Sequence, residues 1–333
     1  AALAALNTPG GRDGSWYYLH GEAWRLKGVF ERAIASYGTA VTKGLPDAGA
    51  LCRALIRTAA CHRALGHEKQ AFAFARAAAA LSARAPELRA EAELELAMAL
   101  RLKGDFSRAG TMLERLLRGY TREGDDGAAA FILWALGGLY RLEGRYKDSI
   151  KAFRLSMARA RKDKDRAAEG YALFGLGGVL RVAGFMATAR GAYVRARALF
   201  SGTSDVFARA YAECGLANVL RQQGELEAAL KGYRRAHALY SSIGDRPDLG
   251  FVEWGLGEVY KRRGEFRRAM AAFRKARKLF DGNSEPRGEV LSELSMANLH
   301  YLKGRTAEAD SLYFRAVAKA KKHGLHTYLE TFT

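Results

Sequence analysis

A basic residue recurs along the 333-residue chain at Arg25, Arg63, Arg101, Arg141, Arg181, Arg221 and Lys261, at intervals of 38 and then 40 residues. Guanidinium groups hold carboxylates and phosphates through paired, charge-assisted hydrogen bonds. A column of them is therefore chemistry for binding an anion. Aromatic side chains accompany it at Phe131, Trp134, Tyr171, Phe174, Tyr211, Phe251 and Trp254, and asparagines at Asn218 and Asn298. Arginine and aromatic residues together are what binding surfaces enrich. The plainer alternative is that each cation sits near a helix C-terminus, where the macrodipole favours it by about 0.3–1 kcal/mol.

Catalytic chemistry has weaker support. Of the seven histidines, none forms His-Glu-x-x-His or joins a Cys/His cluster with metal-ligand spacing. His20, His62 and His300 fall in a helical core register, and His323 and His326 share a C-terminal face too sparse for a metal site. The runs Ala-Leu-Gly-Gly at 135–138 and Gly-Leu-Gly-Gly at 175–178 lack the strand before and the helix start after that a phosphate loop needs. Those glycines lie mid-helix, at about 1 kcal/mol each relative to alanine, and read as close helix–helix contacts. No nucleophile arrangement has a local signature. The expectation is a protein that is not an enzyme and needs no cofactor or metal.

The 54 Lys and Arg against 35 Asp and Glu leave a net charge of +19, which attracts anions at long range. Much of it lies late in amphipathic stretches, at Arg195, Arg197, Arg234, Arg235, Arg274, Lys275, Arg277 and Lys278, on an outer face or at junctions. No apolar stretch is long and clean enough to cross a bilayer. Cys52, Cys61 and Cys214 are too few and scattered for a disulfide framework, so a reducing cytoplasm is the expectation. Residue 1 is alanine, which leaves a removed signal peptide open.

The elements that position these residues follow from a repeated glycine, at Gly28, Gly66, Gly104, Gly144, Gly184, Gly224, Gly264 and Gly304. Each lies between two stretches of helical periodicity, such as Leu256, Gly257 and Tyr260 before Gly264 and Ala269, Phe273 and Ala276 after it. Two such helices joined by a short turn make an antiparallel hairpin. Gly124, Gly202, Gly244 and Gly282 mark the ends of second helices, and Asp125, Ser204, Asp245 and Ser284 follow as N-caps, with Pro286 near a first turn. Nothing alternates as a strand would. The expectation is an all-α array of eight units over 14–320, with an N-terminal segment 1–13 and a C-terminal tail 321–333.

Leu-Gly/Ala-x-x-Tyr before the turn glycine and Ala-x-x-x-Phe/Tyr-x-x-Ala after it resemble the tetratricopeptide repeat, in a variant about 40 residues long. Unit seven (Leu256, Gly257, Tyr260, Gly264, Ala269, Phe273, Ala276) and unit five (Leu176, Gly177, Gly184, Ala189, Tyr193, Ala196) match best. Units two and three carry Ala75 and Leu113 where an aromatic belongs. The resemblance implies an α-solenoid wound as a right-handed superhelix. It also implies that the stripe 251, 254, 258 and 261 and its equivalents line a concave ligand groove, about 130° around the helix from the packing face. At Asn218 and Asn298 it implies amides that hold a ligand backbone.

Acids on this stripe are few, namely Glu22, Glu91 and Glu258, which points to an external anion. The leading expectation is a protein-binding scaffold or adaptor that holds an acidic peptide or protein segment in the groove. Single-stranded nucleic acid, RNA included, is the alternative, since a basic track with stacking aromatics is its general recipe. Self-assembly through open solenoid ends is a third.

Overall fold

The computed structural model describes residues 12–281, 286–323 and 325. Sixteen α-helices and two short 3₁₀ turns make up the ordered elements, and no strand occurs among the described residues. They pair as antiparallel hairpins: α1 (Gly14–Leu26) with α2 (Phe30–Lys43), α3 (Ala48–Ala64) with α4 (Glu68–Leu81), and α5 (Arg89–Leu102) with α6 (Phe106–Glu123). Then come α7 (Asp126–Leu142) with α8 (Tyr146–Lys162), α9 (Arg166–Val182) with α10 (Met186–Phe200), and α11 (Val206–Gln222) with α12 (Leu226–Ile243). Last are α13 (Arg246–Arg262) with α14 (Phe266–Phe280), and α15 (Pro286–Tyr301) with α16 (Thr306–Lys322). The helices group into two compact units, α1–α6 and α7–α16.

The turns form where glycine permits them. All eight turn glycines have positive φ, between 71° and 86°, a region that a side chain would strain. An aspartate opens most first helices. Asp13, Asp47, Asp125, Asp165, Asp205 and Asp245 each accept the backbone N–H three residues on, at 2.7–3.1 Å, satisfying a donor the helix leaves unpaired. The cap expected at Ser204 is therefore Asp205, whose carboxylate reaches Ala208 N where the shorter serine stands one residue too early. The stop and cap expected at Gly282 and Ser284 lie outside the described residues, as do residues 1–11, His326 and the rest of the tail after Leu325.

In the second unit, aromatic rings on second helices fill gaps left by glycines on the first helices. Phe153 lies against Gly137 and Gly175, Tyr193 against Gly177 and Gly215, and Tyr233 against Gly255. A Cβ on Gly215 would sit 2.1 Å from the Tyr193 ring, so the ring and any side chain there exclude each other. The mid-helix glycines thus offset their helix-propensity cost by admitting a whole buried aromatic. In repeat one Tyr37 likewise lies against Gly21, whereas in repeats two and three the space is closed by Ala71, Ala75 and Ala78 and by Leu113, all fully buried, matching the aromatics missing there.

Charges also cross the junctions of the second unit. Glu213, Glu253 and Glu293 stand 40 residues apart on α11, α13 and α15. Each is flanked by one cation from the preceding second helix and at least one from its own. Glu213 meets Arg197 at 3.8 Å and Arg235 at 2.8 Å, and Glu253 meets His237 at 3.0 Å together with Lys275. Glu293, fully buried, lies 3.3 Å from Arg277 and 3.5 Å from Arg315. Several of the basic residues assigned by sequence to the outer face are held in these pairs.

Candidate functional site

The first helices of the second unit touch one another in succession, α7 with α9, α9 with α11 and α11 with α13. Stripe residues three or four apart on each helix are thereby set beside those of the next. Arg141 of α7 reaches across to α9. Its Nη1 lies 3.0 Å from where a Cβ on Gly178 would stand, so the glycine at that stripe position gives the guanidinium its place. Arg141 is half-buried and has no ion pair among the described residues. Arg181 donates from Nη1 to Gln222 Oε1 at 3.3 Å.

Arg221 heads a hydrogen-bonded relay. Its Nε donates to the Tyr233 hydroxyl at 3.2 Å, that hydroxyl donates to Asn218 Oδ1 at 2.8 Å, and Asn218 Nδ2 points at Cys214 Sγ at 3.7 Å. The guanidinium carbon of Arg221 also lies 5.1 Å over the Trp254 ring, within cation–π range. The Asn218 amide is oriented by its neighbours and faces a half-buried position.

Burial dominates the electrostatics here. It pushes the Cys214 thiol up to about 12, with a smaller push from Asp248 and opposition from Arg181 and Arg221. It pushes the Tyr233 hydroxyl up to about 12, against Arg221. Tyr193 and Tyr211 are raised for the same reason, each opposed by both Arg141 and Arg181. Tyr211 and Cys214 still touch solvent. Groups that are desolvated yet accessible line a recess rather than a convex surface.

The sequence-expected residues do not form one uninterrupted exposed column. Arg221 is only 2% exposed and Phe174 and Trp254 only 4% each, so these three are packing residues first. Phe174 stacks on Phe200 at 5.3 Å and meets Tyr211 at 4.8 Å. Trp254 donates its indole N–H to Ser295 Oγ at 2.9 Å, and Ser295 donates to Glu258. The physical reason is the 40-residue spacing, which sets a wide ring on one first helix against the next one, where it is covered. Trp134, Tyr171, Tyr211, Asn218 and Phe251 are half-buried, and Phe131 and Asn298 are exposed. Tyr171 donates to Asp205 at 2.9 Å, and Phe251 lies under Arg287 at 4.7 Å.

Several of the cations are neutralised from within. Arg25 pairs with Glu22, Arg63 with Glu95 and Arg57 with Glu91, each at 2.8 Å, and Lys261 pairs with Glu258 at 2.9 Å. Glu22, Glu91 and Glu258, expected to be too few to matter, therefore bind the cations nearest them. Arg101 is half-buried in the first unit. The expectation of an unneutralised stripe narrows to Arg141 and Arg221 of the second unit, neither of which is in an ion pair among the described residues. Cys214 was missed although it occupies a stripe position, three residues after Tyr211. Tyr193 and Tyr233 were missed as neighbours of this face because they belong to second helices, and only the folded hairpin brings their hydroxyls there.

Residues 88–162 and 207–281 match the model of the tetratricopeptide repeat. With this match and sixteen helices paired around positive-φ glycines, the chain is a tetratricopeptide-type repeat protein, an all-α solenoid. Among solved structures, it is similar to a Rap protein complexed with Competence and Sporulation Factor, at 17% identity and TM-score 0.69 over 85% of this chain and 79% of that one. It is similar to the apo form of the quorum sensor NprR from B. thuringiensis, at 14% identity and TM-score 0.69 over 92% and 87%. Aspartyl phosphate phosphatase F from Bacillus subtilis aligns at 15% identity and TM-score 0.65 over 81% and 71%. No curated protein matches the chain by sequence. Among the described residues, no helix is long and apolar enough to cross a membrane.

Proposed function

We propose that the chain is a non-catalytic binding protein whose second unit holds an acidic peptide or protein segment along α7, α9 and α11. The observation that carries this reading is Arg141, a guanidinium without an ion pair among the described residues, set against Gly178 and beside the desolvated hydroxyls of Tyr193 and Tyr211. A cation in a recess of neutral aromatics attracts a carboxylate more strongly than one in open water. Asn218, held by Tyr233, supplies an oriented amide for a peptide backbone. The fold supports the same reading, since one similar structure is a Rap protein in complex with a named factor and another is a quorum sensor. The first unit, with its arginines paired to glutamates, contributes less.

The test is fluorescence anisotropy with labelled acidic, neutral and basic peptide pools and a single-stranded RNA, for the wild-type protein and for Arg141→Glu. Preference for the acidic pool, lost in the variant, supports the proposal. Tighter binding of RNA, with affinity falling steeply and linearly in log salt whatever its sequence, replaces it with nucleic-acid binding.

A further inference from the structure

On the opposite side of α11 from the stripe, about 140° around the helix, lies a cavity of about 710 Å³. It is bounded by Val194, Arg197, Ala198 and Ser201 of α10 and its end, by Arg209 and Glu213 of α11, and by Arg235, Ala238 and Leu239 of α12. Two sequence features open it. The helix α10 stops at Phe200, and Gly202, at φ 77°, turns the chain away. Alanines at 198 and 238 leave the floor low. The cavity is a cleft widely open to solvent, with a volume in the range of small-molecule sites.

Comparison among the repeats shows what is unusual about the charges here. At the position of Arg209, the repeats before and two after it carry Glu169 and Glu289, and the one between carries Leu249. Glu169 pairs with Arg161 at 2.7 Å and Arg195 at 3.3 Å, and Glu289 pairs with Lys319. In repeat six an arginine replaces that acid, and Glu213 is the one carboxylate on a wall that also carries Arg197, Arg209 and Arg235. Arg235 takes it at 2.8 Å and Arg197 only at 3.8 Å. Arg209 has no ion pair among the described residues. The cavity wall therefore carries three guanidiniums, one carboxylate and an apolar lining of alanine, valine and leucine.

We propose that this cavity is a second ligand site, for a small phosphate monoester with an apolar body. The excess of two positive charges matches a phosphate monoester, which carries about −1.5 to −2 at neutral pH. A single carboxylate would leave one cation unmatched. Guanidinium forks suit tetrahedral phosphate oxygens, and Val194 and Leu239 would cover the apolar remainder. The site lies on a different face of α11 from the peptide site proposed above.

Isothermal titration calorimetry at fixed ionic strength, with phenyl phosphate, inorganic phosphate and benzoate as probes, tests the proposal. Phenyl phosphate should bind tightest. Arg209→Glu, which restores the acid found at 169 and 289, should weaken it about tenfold or more, the loss expected for a charge-assisted contact. Arg209→Gln, nearly isosteric, should also weaken it and guards against misfolding of the glutamate variant, with far-UV circular dichroism as control. Arg141→Glu should leave phenyl phosphate binding unchanged, which separates this site from the proposed peptide face. Equal binding by wild type and both Arg209 variants overturns the proposal. So does a phosphoserine peptide that binds tighter than phenyl phosphate, which would assign the cavity to a protein partner.

Discussion

The guanidinium of Arg221 lies 5.1 Å over the indole of Trp254 while its Nε donates to Tyr233, so one cation ties α11 to both α12 and α13. Its repeat-equivalent Arg141, two units earlier, carries no such attachments and stands half-exposed. The same residue type at the same register thus stands in two different environments.

Arg221→Ala is expected to cost about 2 kcal/mol of stability, from the lost hydrogen bond, cation–π contact and buried stem. Arg141→Ala should cost no more than about 0.5 kcal/mol, as for other surface positions. Urea denaturation followed by circular dichroism distinguishes the two. Equal midpoints for both variants would show that Arg221 is not a structural tie.

Glycine substitutions should go in opposite directions. Gly215→Ala puts a Cβ 2.1 Å from the Tyr193 ring and is expected to destabilise by about 1–3 kcal/mol despite its better helix propensity. Gly191, inside α10 with open space where its Cβ would be, should gain up to about 1 kcal/mol as alanine. Thermal melting of both variants reads the signs directly. A stabilising Gly215→Ala would mean that the ring can move aside.

The Cys214 thiol should be slow to react. With its pKa pushed up to about 12 by burial, it holds little thiolate at pH 8, and the thiolate is the nucleophile. Alkylation should run at least about a hundredfold below that of a free thiol of pKa about 8.5. The rate should keep climbing past pH 10 instead of levelling. A plateau near pH 9 would contradict the desolvated recess.

The same shift fixes a direction for stability against pH. Cys214 and Tyr233 both have folded values near 12, raised above their unfolded ones. The folded state therefore holds their protons longer. Their contribution is complete below the unfolded thiol value and is lost as pH rises toward 12. Chemical denaturation from pH 8 to 11 should show falling stability, with the decline reduced in Cys214→Ser.

Breaking the junction pairs should matter modestly. Glu253 is buried, yet its partners His237 and Lys275 are partly exposed and can rehydrate. Glu253→Gln is expected to cost about 1 kcal/mol, nearer a surface pair than a sealed one. Raising salt to 1 M should shrink the difference between variant and wild type. A loss above about 4 kcal/mol would mark the pair as sealed from water.

The chain itself determined the repeat. Glycine every 38 or 40 residues fixes the turns because only glycine takes that φ cheaply, and apolar spacing fixes which helix faces meet. Aspartate caps were legible in kind, though Ser204 was read where Asp205 serves. Local rules act within a few residues, so they show in a linear text. The state of each cation was decided only in three dimensions. Whether an arginine is buried like Arg221, paired like Arg63 or left without an ion pair like Arg141 and Arg209 depends on residues 12 to 41 positions away, on other helices. Charge pairing and burial are set by distance in space, and the 40-residue period gives equivalent positions different neighbours: Tyr233, Asn218 and Trp254 surround Arg221 where Phe153, Gly138 and Phe174 hold the equivalent positions for Arg141.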